Sequence, residues 1–114
     1  MGIRIKRVYE PAEESDGLRI LVDRLWPRGV SKAAAKIDRW EKDLAPSDEL
    51  RKWFGHDPAR WAEFKKRYRT KLKSQAQALD NVRRLARQQT VTLVFGARDA
   101  AHSNAAALLE WLKK

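Results

Sequence analysis

Two short stretches carry the residue types that bind and move charge. VDRLWPRG sets Asp23, Arg24, Arg28 and Gly29 behind an apolar run, and FGARDAAH sets Arg98, Asp99 and His102 behind another. Arg24, Arg28 and Arg98 suit an anion, because a guanidinium grips phosphate or carboxylate through two parallel N–H bonds. Gly29 and Asp99 join them as the turn residue and helix cap expected to shape the loops around that anion. Asp23 and His102 are the candidates for acid/base catalysis, since imidazole titrates near neutrality and a carboxylate orients or assists it. A structural role fits some of the same residues: Asp23 paired with an arginine, Trp26 in the core, Pro27 fixing a turn and Asp99 only capping its helix.

The elements that must position these loops follow from the apolar pattern. Leu18 to Val22 and Val91 to Phe95 are nearly continuous apolar runs, as expected for central strands covered on both faces. Ile3 to Tyr9 alternates apolar and basic residues and reads as an edge strand, followed by PAEESDG as an exposed acidic loop. Ser31 is expected to cap a short helix ending near Lys36, and Ile37 to Leu44 to run extended with Trp40 as its anchor. Ser47 opens a helix to about Phe54 that Gly55 stops, and Asp57 with Pro58 opens the next.

From Trp61, apolar residues recur at Phe64, Tyr68, Leu72, Leu79, Val82 and Ala86, one stripe at helical spacing. Unbroken to Gln89 this helix would run on the order of 45 Å, too long for a domain of this size. A break is therefore expected near Lys73, with Ser74 and Gln77 as a capping box. A last helix, capped by Asp99 with His102 in its first turn, turns Ala105, Leu108, Leu109 and Leu112 inward. The class is α/β: one domain over residues 1–114, with a small mostly parallel central sheet of about four strands flanked by helices in a three-layer, Rossmann-like arrangement. In such sheets ligands gather beyond the carboxyl ends of the strands, where both charged loops fall.

Composition narrows the classes. The chain has no cysteine, which removes disulfides, thiol nucleophiles and thiolate metal sites, and its two histidines support no transition-metal site by themselves. No phosphate loop, dinucleotide glycine pattern or GxSxG elbow is present. No cofactor is expected. No segment approaches a membrane span and the start lacks the apolar centre of a signal peptide, so a cytoplasmic protein without membrane contact is expected. The formal charge of +10 opens an alternative, a nucleic-acid-binding or regulatory protein. Between Ala59 and Gln88 only Glu63 and Asp80 oppose a run of basic residues from Arg60 to Arg87. A solvated helix face explains that run equally simply, and spacing assigns Trp61, Phe64 and Tyr68 to the core before base stacking.

VDRLWPRG, LAPS with ELRKWFGHDPARWAEFKKRY, and VTLVFGARDAAHSNA together resemble the YeaO-like proteins of the domain of unknown function 488 family over nearly the whole chain. The resemblance implies a small cytoplasmic bacterial or archaeal α/β protein and points to Asp23, Arg24, Trp26, Pro27, Arg28, Gly29, Trp53, His56, Asp57, Pro58, Arg98, Asp99 and His102. It assigns none of them a catalytic role. The function expected from residues and resemblance together is binding of a phosphate or carboxylate at the strand ends, with or without catalysis on a small anionic substrate.

Overall fold

The computed structural model describes residues 2–113. Four parallel strands, β1 (Ile3–Arg7), β2 (Leu18–Leu21), β3 (Arg39–Trp40) and β4 (Val91–Phe95), form one sheet in the order β1-β4-β2-β3. The two apolar runs are the central strands and the alternating one is an edge. Register places Leu18 beside Val91 and Leu21 beside Val94, so β2 and β4 end together. Five helices complete the α/β fold: α1 (Lys32–Ala35), α2 (Asp48–Phe54), α3 (Trp61–Lys73), α4 (Ala76–Gln88) and α5 (Asn104–Leu112).

Side chains alternate across the strands, and the two faces are covered unequally. Ile20, Val22, Val91, Leu93 and Phe95 pack into a large core with the inward stripes of α2, α3, α4 and α5. Leu21 and Val94 point the other way, into a small cluster with Val8, Ala35, Trp26, Val30, Ile37 and Trp40. That second face is therefore closed by the four-residue α1 and by loops.

The loop before β2 corrects one expectation. PAEESDG is not wholly exposed: a single 3₁₀ turn over Glu14–Asp16 folds Asp16 inward until it is 1% exposed. Its Oδ2 accepts from Arg19 Nη1 at 2.7 Å, and Oδ1 accepts from Lys6 Nζ at 3.1 Å and Arg4 Nη2 at 3.2 Å. Burial alone would raise this carboxyl, but the Glu13 amide and the cations Lys6 and Arg19 hold it below the usual carboxylate range. The alternation of Ile3 and Ile5 with Arg4 and Lys6 thus sorts apolar residues to the main core and cations to Asp16.

Local signals set most helix ends. Ser31 Oγ accepts from Ala34 N–H, Ser47 Oγ from Leu50 N–H and Asp57 Oδ1 from Ala59 N–H. The break after Lys73 keeps the longest extent of the molecule to 35 Å, shorter than a continuous helix of about 45 Å. Ser74 works backwards, however: its hydroxyl donates to the Lys71 carbonyl at 2.7 Å, and α4 starts at Ala76 behind Gln75, an N-cap whose side chain makes no capping bond. The last helix also starts later than expected. Asp99 caps only a 3₁₀ turn over Ala100–His102, and Ser103 caps α5 by accepting from Ala106 N–H. A two-stage cap keeps His102 off the helix proper.

Candidate functional site

A cavity of about 370 Å³ opens beyond the carboxyl ends of β2 and β4. It forms because the loops after Val22 and Phe95 are tied together rather than splayed. Asp23 Oδ2 accepts from the Gly96 N–H at 2.8 Å, and Oδ1 accepts from Asn104 Nδ2 at 3.2 Å. Asn104 also donates to the Val22 carbonyl at 2.9 Å. A Cβ on Gly96 would lie 3.2 Å from Asp23 Oδ2, so a residue with a side chain there would crowd the bond that joins the loops. The Asp23 carbonyl accepts from Trp40 Nε1 at 2.7 Å, which adds β3 to the same junction. Asp23 is thus held by neutral donors and not by an arginine. Burial pushes its carboxyl up, and the Gly96 and Asn104 donors offset only part of that shift.

The basic residues of the first loop reach the walls. Arg24 and Arg28 both line the cavity and are exposed. Arg24 Nε lies 3.4 Å from Asp48 Oδ1, and Arg51 Nη2, on a third cavity-lining arginine, lies 3.6 Å from the same oxygen. That oxygen accepts no hydrogen bond, so one carboxylate is shared loosely between two guanidiniums. The Arg28 side chain has no hydrogen bond or salt bridge among the described residues, while its carbonyl accepts from Tyr9 Oη at 3.0 Å. Gly29 lies outside the walls. It adopts φ 72 with open space around it, which makes it a turn residue.

The second loop contributes less directly. His102 lines the cavity, with Nδ1 2.7 Å from Asp99 Oδ2 and its ring edge-on to Trp61 at 5.2 Å. An ionised carboxylate only accepts, so Nδ1 carries a hydrogen and Nε2 is the ring nitrogen left to accept or donate elsewhere. The same contact holds Asp99 below the usual carboxylate range. Asp99 lies behind His102 and not on the wall, and Arg98 is exposed outside the wall. Of the residues singled out from sequence, Asp23, Arg24, Arg28 and His102 share the cavity, whereas Gly29, Arg98 and Asp99 flank it.

Two further wall residues came from elsewhere in the chain. Arg51 lies on α2, where nothing in its spacing distinguishes it from other surface arginines. His56 follows the αL cap Gly55 and itself adopts φ 58, which is rare for a residue with a side chain. The family resemblance pointed to it within WFGHDP without giving it a role, and from its residues alone it read as part of the turn. Phe54 and Phe64, both buried in the main core, also lie against the cavity.

The basic helices are largely occupied internally. Arg60 and Arg67 lie over Trp53 at 5.3 and 4.2 Å, Lys65 pairs with Glu110, and Arg83 donates to the Trp111 and Leu112 carbonyls. Lys71 donates to the Ala45 carbonyl. Among the described residues no group of His, Asp and Glu could hold a metal ion, and no helix is long and apolar enough to cross a membrane.

The chain is 42% identical over 113 residues to the uncharacterized protein YeaO of Escherichia coli (strain K12), covering 99% of this chain and 98% of that one. It is 44% identical over 110 residues to the uncharacterized protein Rv3073c of Mycobacterium tuberculosis (strain ATCC 25618 / H37Rv), covering 96% and 92%. No solved structure matches it. Residues 2–114 match the family DUF488-N3i, described as the inactive DUF488-N3 subclade, and with those relatives the match places the chain in that YeaO-like DUF488 family.

Proposed function

We propose that the cavity at the ends of β2 and β4 binds a small anion, phosphate or carboxylate, without turning it over. The observation that carries this reading is the surplus of cationic side chains lining the cavity: Arg24 and Arg51 share a single loose carboxylate partner, Asp48, and the Arg28 side chain has none among the described residues. Clefts lined by one sign of charge concentrate the opposite ion. Both Asp23 oxygens accept hydrogen bonds that join the loops, which supports a positioning role over proton transfer. The description of the subclade as inactive supports binding rather than catalysis in the same way.

Phosphate titrated at constant ionic strength is expected to raise the melting temperature of the protein. Arg28→Ala and Arg51→Ala, both at exposed positions, should each remove most of that rise while leaving the ligand-free melting temperature near that of the parent. An unchanged phosphate response in both variants would overturn the site.

A further inference from the structure

The cationic wall is only part of the cavity. The half-buried Trp26 presents apolar surface to the same space, and a bare inorganic ion gives it no contact to make there. The mouth adds a second, independent observation. Among the described residues, the large hydrophobic side chains that stand exposed are Tyr9, at 49%, and Leu25, at 59%, and both line this cavity. Leu25 sits between Arg24 and Trp26, so it leaves the strand end with its charged and aromatic neighbours. Tyr9 is held in place from two sides: its hydroxyl donates to the Arg28 carbonyl, and the Arg7 guanidinium lies 5.2 Å from its ring centre.

Exposed apolar side chains scattered over a surface need no explanation, but two gathered at the rim of one concave site mark a place where apolar surface is meant to be covered. The volume agrees. At about 370 Å³ the cavity falls at the lower end of small-molecule sites, which run from about 300 to 1,000 Å³. Sites of that kind combine mostly apolar walls with a few polar groups that fix orientation, and the arginines here are such groups.

We infer that the natural ligand is an anion carrying a flat apolar body, an aryl or similarly cyclic phosphate monoester or carboxylate, with its charged group toward Arg28 and its ring against Trp26, Tyr9 and Leu25. This inference rests on the anion-binding reading and specifies what else the ligand carries. The apolar part would contribute through the surface it removes from water, and the arginines through the charged group.

The test compares inorganic phosphate, phenyl phosphate and phenol by calorimetric titration at one ionic strength, with the parent protein, Leu25→Ser and Arg28→Ala. Phenyl phosphate should bind about tenfold or more tightly than inorganic phosphate, as burial of one ring implies. Leu25→Ser should weaken phenyl phosphate several-fold and leave inorganic phosphate unchanged, and Arg28→Ala should weaken both phosphates. Because Leu25 is exposed, its replacement leaves the core intact, and an unchanged melting temperature confirms that. Equal affinities for the two phosphates would overturn this inference and leave the anion site standing, as would phenyl phosphate binding indifferent to Leu25→Ser. Binding of neither phosphate, or binding indifferent to Arg28→Ala, would overturn the underlying reading as well. Phenol binding as tightly as phenyl phosphate would show an apolar pocket with no use for the charge and would sink both.

Discussion

Asp16 and Asp23 lie at opposite ends of strand β2, and the protein treats them in opposite ways. At the amino end Asp16 is closed in by Arg4, Lys6 and Arg19, and its carboxyl is held low against the pull of burial. At the carboxyl end Asp23 meets an amide N–H and an asparagine, burial dominates, and its carboxyl is raised. Of the arginines that line the cavity, Arg24 and Arg51 share one partner, Asp48, and Arg28 has none among the described residues. One strand therefore carries a closed cluster of ion pairs, a lock, at one end and an open site at the other. A buried aspartate by itself does not say which it is; whether the surrounding cations close on it does.

The largest expected effect is at the lock. Asp16→Asn removes the charge that faces the buried Arg19 guanidinium, and breaking a buried pair in this way costs about 3–5 kcal/mol. A fall of that size in denaturant-unfolding stability is expected, and a loss within about 0.5 kcal/mol, typical of surface changes, would make Asp16 no lock. Asp23→Asn should cost less, under about 2 kcal/mol, because the amide oxygen still accepts from Gly96 while the cost of burying a charge disappears. The same variant should bind phosphate more tightly at neutral pH. Weaker binding would mean that the Asp23 charge assists the ligand.

The two aspartates should also separate in pH. The Asp16 contribution is present above its unfolded value near 3.8 and is lost as pH falls through its lowered folded value. The Asp23 contribution has the opposite sign: it is present below 3.8 and is lost as pH rises through its raised folded value. Unfolding free energies measured from pH 3 upward should show the acid limb flattened in Asp16→Asn and the decline just above 3.8 flattened in Asp23→Asn. Identical pH profiles in the two variants would erase the contrast. The smallest effect is at Gly29, where an alanine meets open space but an unfavourable φ, so Gly29→Ala should cost about 1 kcal/mol and leave phosphate binding unchanged.

Much of the architecture was legible because its causes are local. The apolar runs at Leu18 and Val91, the caps at Ser31, Ser47 and Asp57, and the stripe from Trp61 to Ala86 each depend on neighbours a few residues away. Ser74 was misassigned as a helix start because a serine can bond the turn before it as well as the one after it, and Asp99 because the turn an aspartate caps can be a lone 3₁₀ turn and not the helix itself. The two charged loops were legible as places, and Asp23, Arg24, Arg28 and His102 do share one cavity.

Arg51 was not legible as a wall residue, and His56 was marked by the family resemblance alone, since their membership depends on how α2 lies across the strand ends. By itself the sequence determined which residues end strands, begin helices and face a core, because these follow from backbone chemistry and periodicity. Only the tertiary structure decided which charges meet. It folded Asp16 onto three cations and left the Arg28 side chain without a partner among the described residues, because pairing is a matter of distance across the sheet, and the order β1-β4-β2-β3 brings together ends that lie far apart in the chain.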